Sequence, residues 1–203
     1  VKSAMRVLEA ALILIDASAG IEVGTETAWQ AAEDRGTPVM LVINKMDREN
    51  ADFNQSLQSA QTILGSKVVP LYLPIGSQSS FSGVVDLLEM KAISFSKSTD
   101  GATTVGDIPA DLTDDAEALR LQLVEKIAEN DEDLMMRYLE DEPLGVDELR
   151  TALRAAFAAG AIVPVLAAAS STNRGVGLVL DTIVDVAPAP QPCTASTSDG
   201  KEI

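Results

Sequence analysis

Apolar positions at the start of the chain fall at helical spacing, at Ala4, Val7, Leu8 and Ala11, and predict a helix over residues 1–10. A continuous apolar run follows, Leu12-Ile13-Leu14-Ile15, closed by Asp16 and Ala17. A run without polar alternation predicts a parallel strand buried on both faces. Ala19-Gly20 turns the chain, and residues 25–35 then have the spacing of an amphipathic helix, stopped by Gly36 with Pro38 beyond it. Residues 39–43 predict a second buried strand, with Asn44 opening the loop after it. Helical periodicity returns over 52–64 and ends at Gly65. Strand, helix, strand, helix with short connections predicts a doubly wound α/β sheet.

The middle of the chain differs in texture. Short strand-like runs at 68–73, 83–88 and 92–96, separated by Gly, Ser and Pro, predict antiparallel hairpins rather than crossovers. Residues 109–113 lead into a long helical stretch with Leu119, Leu123 and Ile127 on one face and Asp and Glu on the other. Two more helices are expected at 134–139 and 146–158. Residues 162–166 again read as a buried strand and 175–187 as an amphipathic helix, restoring the first texture. The expected division is therefore an α/β core over 1–67, an α+β insertion over 68–161, and a last core strand and helix over 162–188. The Pro-, Ala-, Ser- and Thr-rich residues 189–203 are expected to form a linker toward a following domain.

Composition narrows the chemistry. With 46% hydrophobic residues among 203, the chain can bury a sizeable core. The 31 Asp+Glu against 15 Lys+Arg give a formal net charge of -16, which argues against direct binding of duplex DNA, since phosphate neutralisation needs a basic face. The single cysteine, Cys193, excludes an internal disulfide framework, and the absence of histidine excludes imidazole catalysis and ligation. The apolar runs are too short to cross a bilayer and no signal-peptide pattern is present, so a cytoplasmic protein without membrane partners is expected. Val1 stands where an initiating Met would, and the expectation is a piece of a longer polypeptide.

Candidate chemistry concentrates at Asn44-Lys45-Met46-Asp47, directly after the strand at 39–43. Open parallel sheets bind ligands at the carboxyl ends of their strands. An Asp47 carboxylate offers two acceptors to the paired N–H donors on the N1 and N2 edge of guanine. Adenine presents no such pair and would leave the carboxylate desolvated and unpaired. The four-carbon stem of Lys45 can lie across a flat base, and the Asn44 amide can tie the loop to adjacent backbone. A second loop, Ala167-Ala168-Ala169-Ser170-Ser171-Thr172-Asn173, follows the strand at 162–166; small side chains there let backbone N–H groups approach a ligand such as guanine O6.

Beyond that motif, the run Arg48-Glu49-Asn50-Ala51-Asp52-Phe53 resembles bacterial elongation factor G. So do Ser3-Ala4-Met5-Arg6-Val7-Leu8, Gly20-Ile21-Glu22-Val23-Gly24-Thr25-Glu26-Thr27, and Val69-Pro70-Leu71-Tyr72-Leu73-Pro74-Ile75-Gly76 with Phe81-Ser82-Gly83-Val84-Val85-Asp86-Leu87. Ile162-Val163-Pro164-Val165-Leu166 and Asn173-Arg174-Gly175-Val176 extend the likeness, colinear over about residues 1 to 190. The resemblance implies a P-loop GTPase-type parallel sheet, truncated on its N-terminal side and interrupted by a G′ insertion. It implies a ribosome-associated translational GTPase acting in translocation or ribosome recycling. Asn44, Lys45 and Asp47 then bind guanine, and Ala169, Ser170 and Ser171 align with the family's Ser-Ala-Leu loop. The serine hydroxyl usual at the first of these positions is absent at Ala169, leaving either the Ser170 backbone N–H for O6 or its hydroxyl from a shifted position.

The resemblance also implies what the sequence lacks. No Gly-x-x-x-x-Gly-Lys-Ser/Thr occurs, so nothing in it cradles the β- and γ-phosphates. GTP or GDP is the expected ligand, with Mg²⁺ in the full-length protein. No tightly bound cofactor and no hydrolysis are expected of this chain alone. Two other readings compete. One is an interaction module in which residues 68–161 dock on the ribosomal stalk protein, through an acidic face of Asp114, Asp115, Glu117, Glu125 and Glu129. The other is a nucleotide-independent paralogue with a relic base site.

Overall fold

A computed structural model describes residues 3–96, 98–140 and 142–190. Cys193 and the expected linker from residue 191 onward lie outside the described residues. In chain order the elements begin with β1 (Ala11–Asp16), α1 (Val23–Glu33), β2 (Val39–Asn44) and α2 (Phe53–Leu64). Next come β3 (Val68–Pro70), β4 (Tyr72–Ile75), β5 (Gly83–Asp86), β6 (Lys91–Phe95) and β7 (Thr103–Gly106). The chain then runs through α3 (Thr113–Ala128), α4 (Glu132–Leu139), α5 (Val146–Ala158), β8 (Val163–Ala167) and α6 (Val176–Val186).

A parallel sheet in the order β1-β2-β8-β3 forms the core. β2 is its centre: Leu41 and Ile43 are fully buried, each contributing about 1.5–3 kcal/mol relative to exposure. α2 starts where the Asp52 carboxylate accepts the Gln55 N–H at 2.9 Å, one of the orphan donors of a helix N-terminus. Its Leu57, Ala60 and Leu64, three and four residues apart, form the buried stripe. α1 buries Trp29, Ala31 and Ala32 and gives way to Gly36 at φ 63, a left-handed conformation that suits glycine.

The antiparallel sheet, ordered β4-β5-β6-β7, interrupts this core together with α3, α4 and α5. Asp86 stabilises the β5 exit by accepting from the Leu88 and Glu89 N–H groups at 2.8 and 3.0 Å, and burial raises its carboxyl above the usual carboxylate range. Arg120 on α3 crosses to the same turn, donating to the carbonyls of Leu87 and Leu88. Arg150 on α5 reaches Glu89 at 2.8 Å.

Four expectations are corrected. The helix predicted over 1–10 shrinks, among the described residues, to one 3₁₀ turn at Ala4–Val7, with Met5 buried and Val7 76% exposed. Ser3 supplies no side-chain cap and the chain is extended by Leu8, so the costly first turn is not propagated. β1, expected to be buried on both faces, buries Ala11, Ile13 and Ile15 but exposes Leu12 and Leu14, because among the described residues only one of its faces is covered. The run at 68–73 is not one hairpin strand: Val68–Pro70 pairs in parallel with β8, and pairing turns antiparallel only from Tyr72. β7 has no counterpart among the expected strands; it is exposed throughout, so its residues carry no apolar pattern.

Candidate functional site

Three segments meet at the carboxyl edge of the parallel sheet. Asp16 at the end of β1 is in register with Asn44 at the end of β2, and Ile43 with Ala167 of β8. The ladders continue past the strands through Ala17 N–H to Asn44 O at 2.9 Å and Ala168 N–H to Ile43 O at 2.9 Å. Those bonds set the loops after β2 and β8 side by side.

The loop after β2 is anchored by its apolar member. Met46 is fully buried, its N–H donates to Ala168 O at 3.1 Å, and its carbonyl accepts the Gln78 N–H at 2.8 Å. Lys45 just before it holds φ 62, a left-handed conformation rare for a lysine that reverses the chain. With Met46 committed inward, Lys45 is left exposed and Asn44 and Asp47 half-buried.

Each polar residue of the loop has a partner from a distant segment. The Asn44 amide and Ser170 bond reciprocally, Asn44 Nδ2 donating to Ser170 Oγ and the Ser170 backbone N–H to Asn44 Oδ1, both at 3.0 Å. Asp47 Oδ2 accepts from Ser171 Oγ at 3.0 Å and Thr172 Oγ1 at 3.3 Å. Asp47 Oδ1 is enclosed without a hydrogen-bond partner, the only such buried side-chain atom among the described residues. An unpaired acceptor of this kind costs about 1–3 kcal/mol. Lys45 Nζ lies 2.5 Å from Asp16 Oδ2, while Asp16 Oδ1 accepts from Ser18 N–H at 3.0 Å and Ser18 Oγ at 2.7 Å. These bonds, the lysine's foremost, hold the Asp16 carboxyl down to about 2.

The second loop is shaped by small residues. Ala169 is fully buried and exchanges backbone bonds with Arg174 at 2.9 and 3.1 Å. Gly175, at φ 77, returns the chain to α6 where a side chain would stand 2.8 Å from the Ala167 carbonyl. The antiparallel sheet supports this loop through Asn173 Nδ2 to Thr99 O at 3.0 Å and Arg174 Nη1 to Phe81 O at 2.6 Å.

All six residues singled out from sequence (Asn44, Lys45, Asp47, Ala169, Ser170 and Ser171) thus share this corner. The Ser170 N–H, expected to face a guanine O6, is taken up by Asn44 Oδ1, the nearer acceptor. Asp16 and Thr172 join the site without having been singled out. Asp16 is visible in the sequence as the acid closing the first strand run, whereas Thr172 looks like one more small loop residue.

A cleft of about 600 Å³ opens behind this loop, lined by Met46, Asn50, Asp52, Pro74, Gln78 and Asp115; it does not include Lys45 or Asp47. Its carboxylates offer nothing to a purine's acceptor atoms. Among the described residues there is no group of three or more His, Cys, Asp or Glu that could hold a metal ion. No helix among them is long and apolar enough to cross a membrane.

Residues 1–189 match the family model described as the elongation factor Tu GTP binding domain. The crystal structure of a protein from Thermus thermophilus matches with a TM-score of 0.84 at 31% sequence identity. That match covers 93% of this chain and 28% of the other, so the chain spans under a third of that protein's length.

Proposed function

We propose a function on the premise that this chain belongs to the elongation factor Tu GTP-binding domain family. It is a GTPase-family chain whose ligand is a guanine nucleotide, and its parallel sheet with an antiparallel insertion is that of a P-loop GTPase with a G′ subdomain. The finer proposal is that the parent polypeptide is a cytoplasmic, ribosome-associated GTPase of elongation factor G type, acting in translocation or ribosome recycling. This chain is its base-recognising part.

The observation that carries the proposal is Asp47, with one carboxylate oxygen fixed by Ser171 and Thr172 and the other enclosed and unpaired. Guanine brings two adjacent N–H donors to that group. Adenine brings none in the same place and would leave a buried charge unsatisfied. The Asn44–Ser170 pair holds the two loops at fixed separation, so the loop that carries the carboxylate is set before a ligand arrives. The Lys45 stem covers one face of the base. Phosphoryl transfer is chiefly positioning and electrostatics around the phosphates, and the sequence has no Gly-x-x-x-x-Gly-Lys-Ser/Thr to supply them. The chain by itself is therefore proposed to bind weakly and not to hydrolyse GTP.

The test is GTP turnover by the full-length protein with and without ribosomes. Stimulation of at least about 100-fold is expected, in line with partner-assisted GTPases. Turnover indifferent to ribosomes would remove the translational reading while leaving guanine binding intact. The alternative, docking of the insertion on the ribosomal stalk protein, draws its support from Asp114, Asp115, Glu117, Glu125 and Glu129, all exposed on α3 or at its end.

A further inference from the structure

We propose, resting on the guanine reading above, that Asp16 is a positioning residue for the base. It holds the Lys45 ammonium so that the lysine stem is already extended along the site before nucleotide arrives. The two ends of that side chain are fixed independently. The backbone end is set by the left-handed turn at Lys45 and by buried Met46, bonded on one side to Ala168 and on the other to Gln78. The ammonium end is set by Asp16 Oδ2 at 2.5 Å.

Asp16 is itself held. Its Oδ1 accepts both Ser18 donors, and its carbonyl closes the following turn by accepting the N–H groups of Ala19 at 3.1 Å and Gly20 at 2.8 Å. Gly20 takes φ 71, which lets that turn form tightly. The carboxylate therefore has one oxygen committed to its own turn and one aimed at Lys45. A lysine with half its side chain exposed would otherwise sample many rotamers and lose them on covering a base. Fixing it beforehand removes that cost from binding.

This role predicts a division of labour. Asp47 governs which base is accepted, whereas Asp16 governs how tightly any accepted base is held. It also predicts that Asp16 acts only through Lys45. If its task were to close its own turn, its loss would weaken the protein whether or not the lysine were present.

The experiment is a double-mutant cycle of Asp16→Asn and Lys45→Met in the full-length protein. It reads dissociation constants for a fluorescent GDP, competition by xanthosine diphosphate, and circular dichroism for folding. Asp16→Asn is expected to weaken GDP roughly fivefold, the range of a partly exposed ion pair. In the Lys45→Met background it should add nothing, and the preference for GDP over xanthosine diphosphate should be unchanged. Ser18→Ala, which removes the hydroxyl bond to Asp16 Oδ1 and keeps the backbone one, should weaken GDP about twofold and serves if Asp16→Asn does not fold. Additive effects, a changed base preference, or wild-type affinity in Asp16→Asn and Ser18→Ala would each overturn the role. Failure of the wild type to select guanine at all would overturn it together with the guanine reading.

Discussion

Asp16 and Asp47 sit among polar groups brought from far along the chain: Lys45 onto Asp16, Ser171 and Thr172 onto Asp47. Five carboxylates on or beside α3 (Asp114, Asp115, Glu117, Glu125 and Glu129) are chemically the same and live differently. They are exposed, and among the described residues their one ion pair joins Glu129 to Lys126 at 2.7 Å within the same stretch of chain. Fixing a carboxylate with distant partners costs conformational freedom during folding, and that cost is recovered when the group arrives at a ligand ready to bind. A carboxylate that stays in water keeps its mobility and serves solubility or a rim contact. In a chain with 31 acidic residues, number therefore says little about where the chemistry is.

The contrast can be sharpened by substitution. Asp47→Asn is expected to give the largest effect. GDP affinity should fall at least about 100-fold, with a matching gain for xanthosine diphosphate, because an amide in place of the carboxylate misplaces a donor against guanine. Competition titration in the full-length protein reads both. Asn44→Ala should come next, weakening GDP by about 10- to 30-fold through loss of two hydrogen bonds that register the loops, with little change in base preference. Glu125→Lys combined with Glu129→Lys should be smallest, leaving GDP affinity within about twofold and stability within about 0.5 kcal/mol. Should that double reversal instead weaken nucleotide strongly, the two groups of carboxylates would not be separable as described.

Much of the fold is readable in the sequence because its elements have complete apolar signatures. α5 occupies the predicted 146–158, and β2 and α2 lie within one residue of expectation. What escapes has a physical reason in each case. β7 is exposed on both faces and leaves no period to find. The division between β3 and β4 depends on which sheet each strand joins, a long-range choice that Val68-Val69-Pro70-Leu71-Tyr72 does not encode locally. β1 reads as a strand buried on both faces, but among the described residues one face is uncovered, so Leu12 and Leu14 are exposed. The site divides in the same way. Asn44-Lys45-Met46-Asp47 is legible because its members are contiguous and follow a strand. Asp16 and Thr172 join them from 29 and 125 residues away, and only the folded chain brings them in.

The corner built by Asn44, Lys45, Asp47 and the loop at 169–172 is proposed to select guanine. The most direct measurement is displacement of a fluorescent GDP from the full-length protein by GDP, GTP and ATP. Displacement by GDP and GTP at concentrations at least about 100-fold below that required for ATP is the predicted result. Equal displacement by ATP, or no binding of the guanine probe, would contradict it.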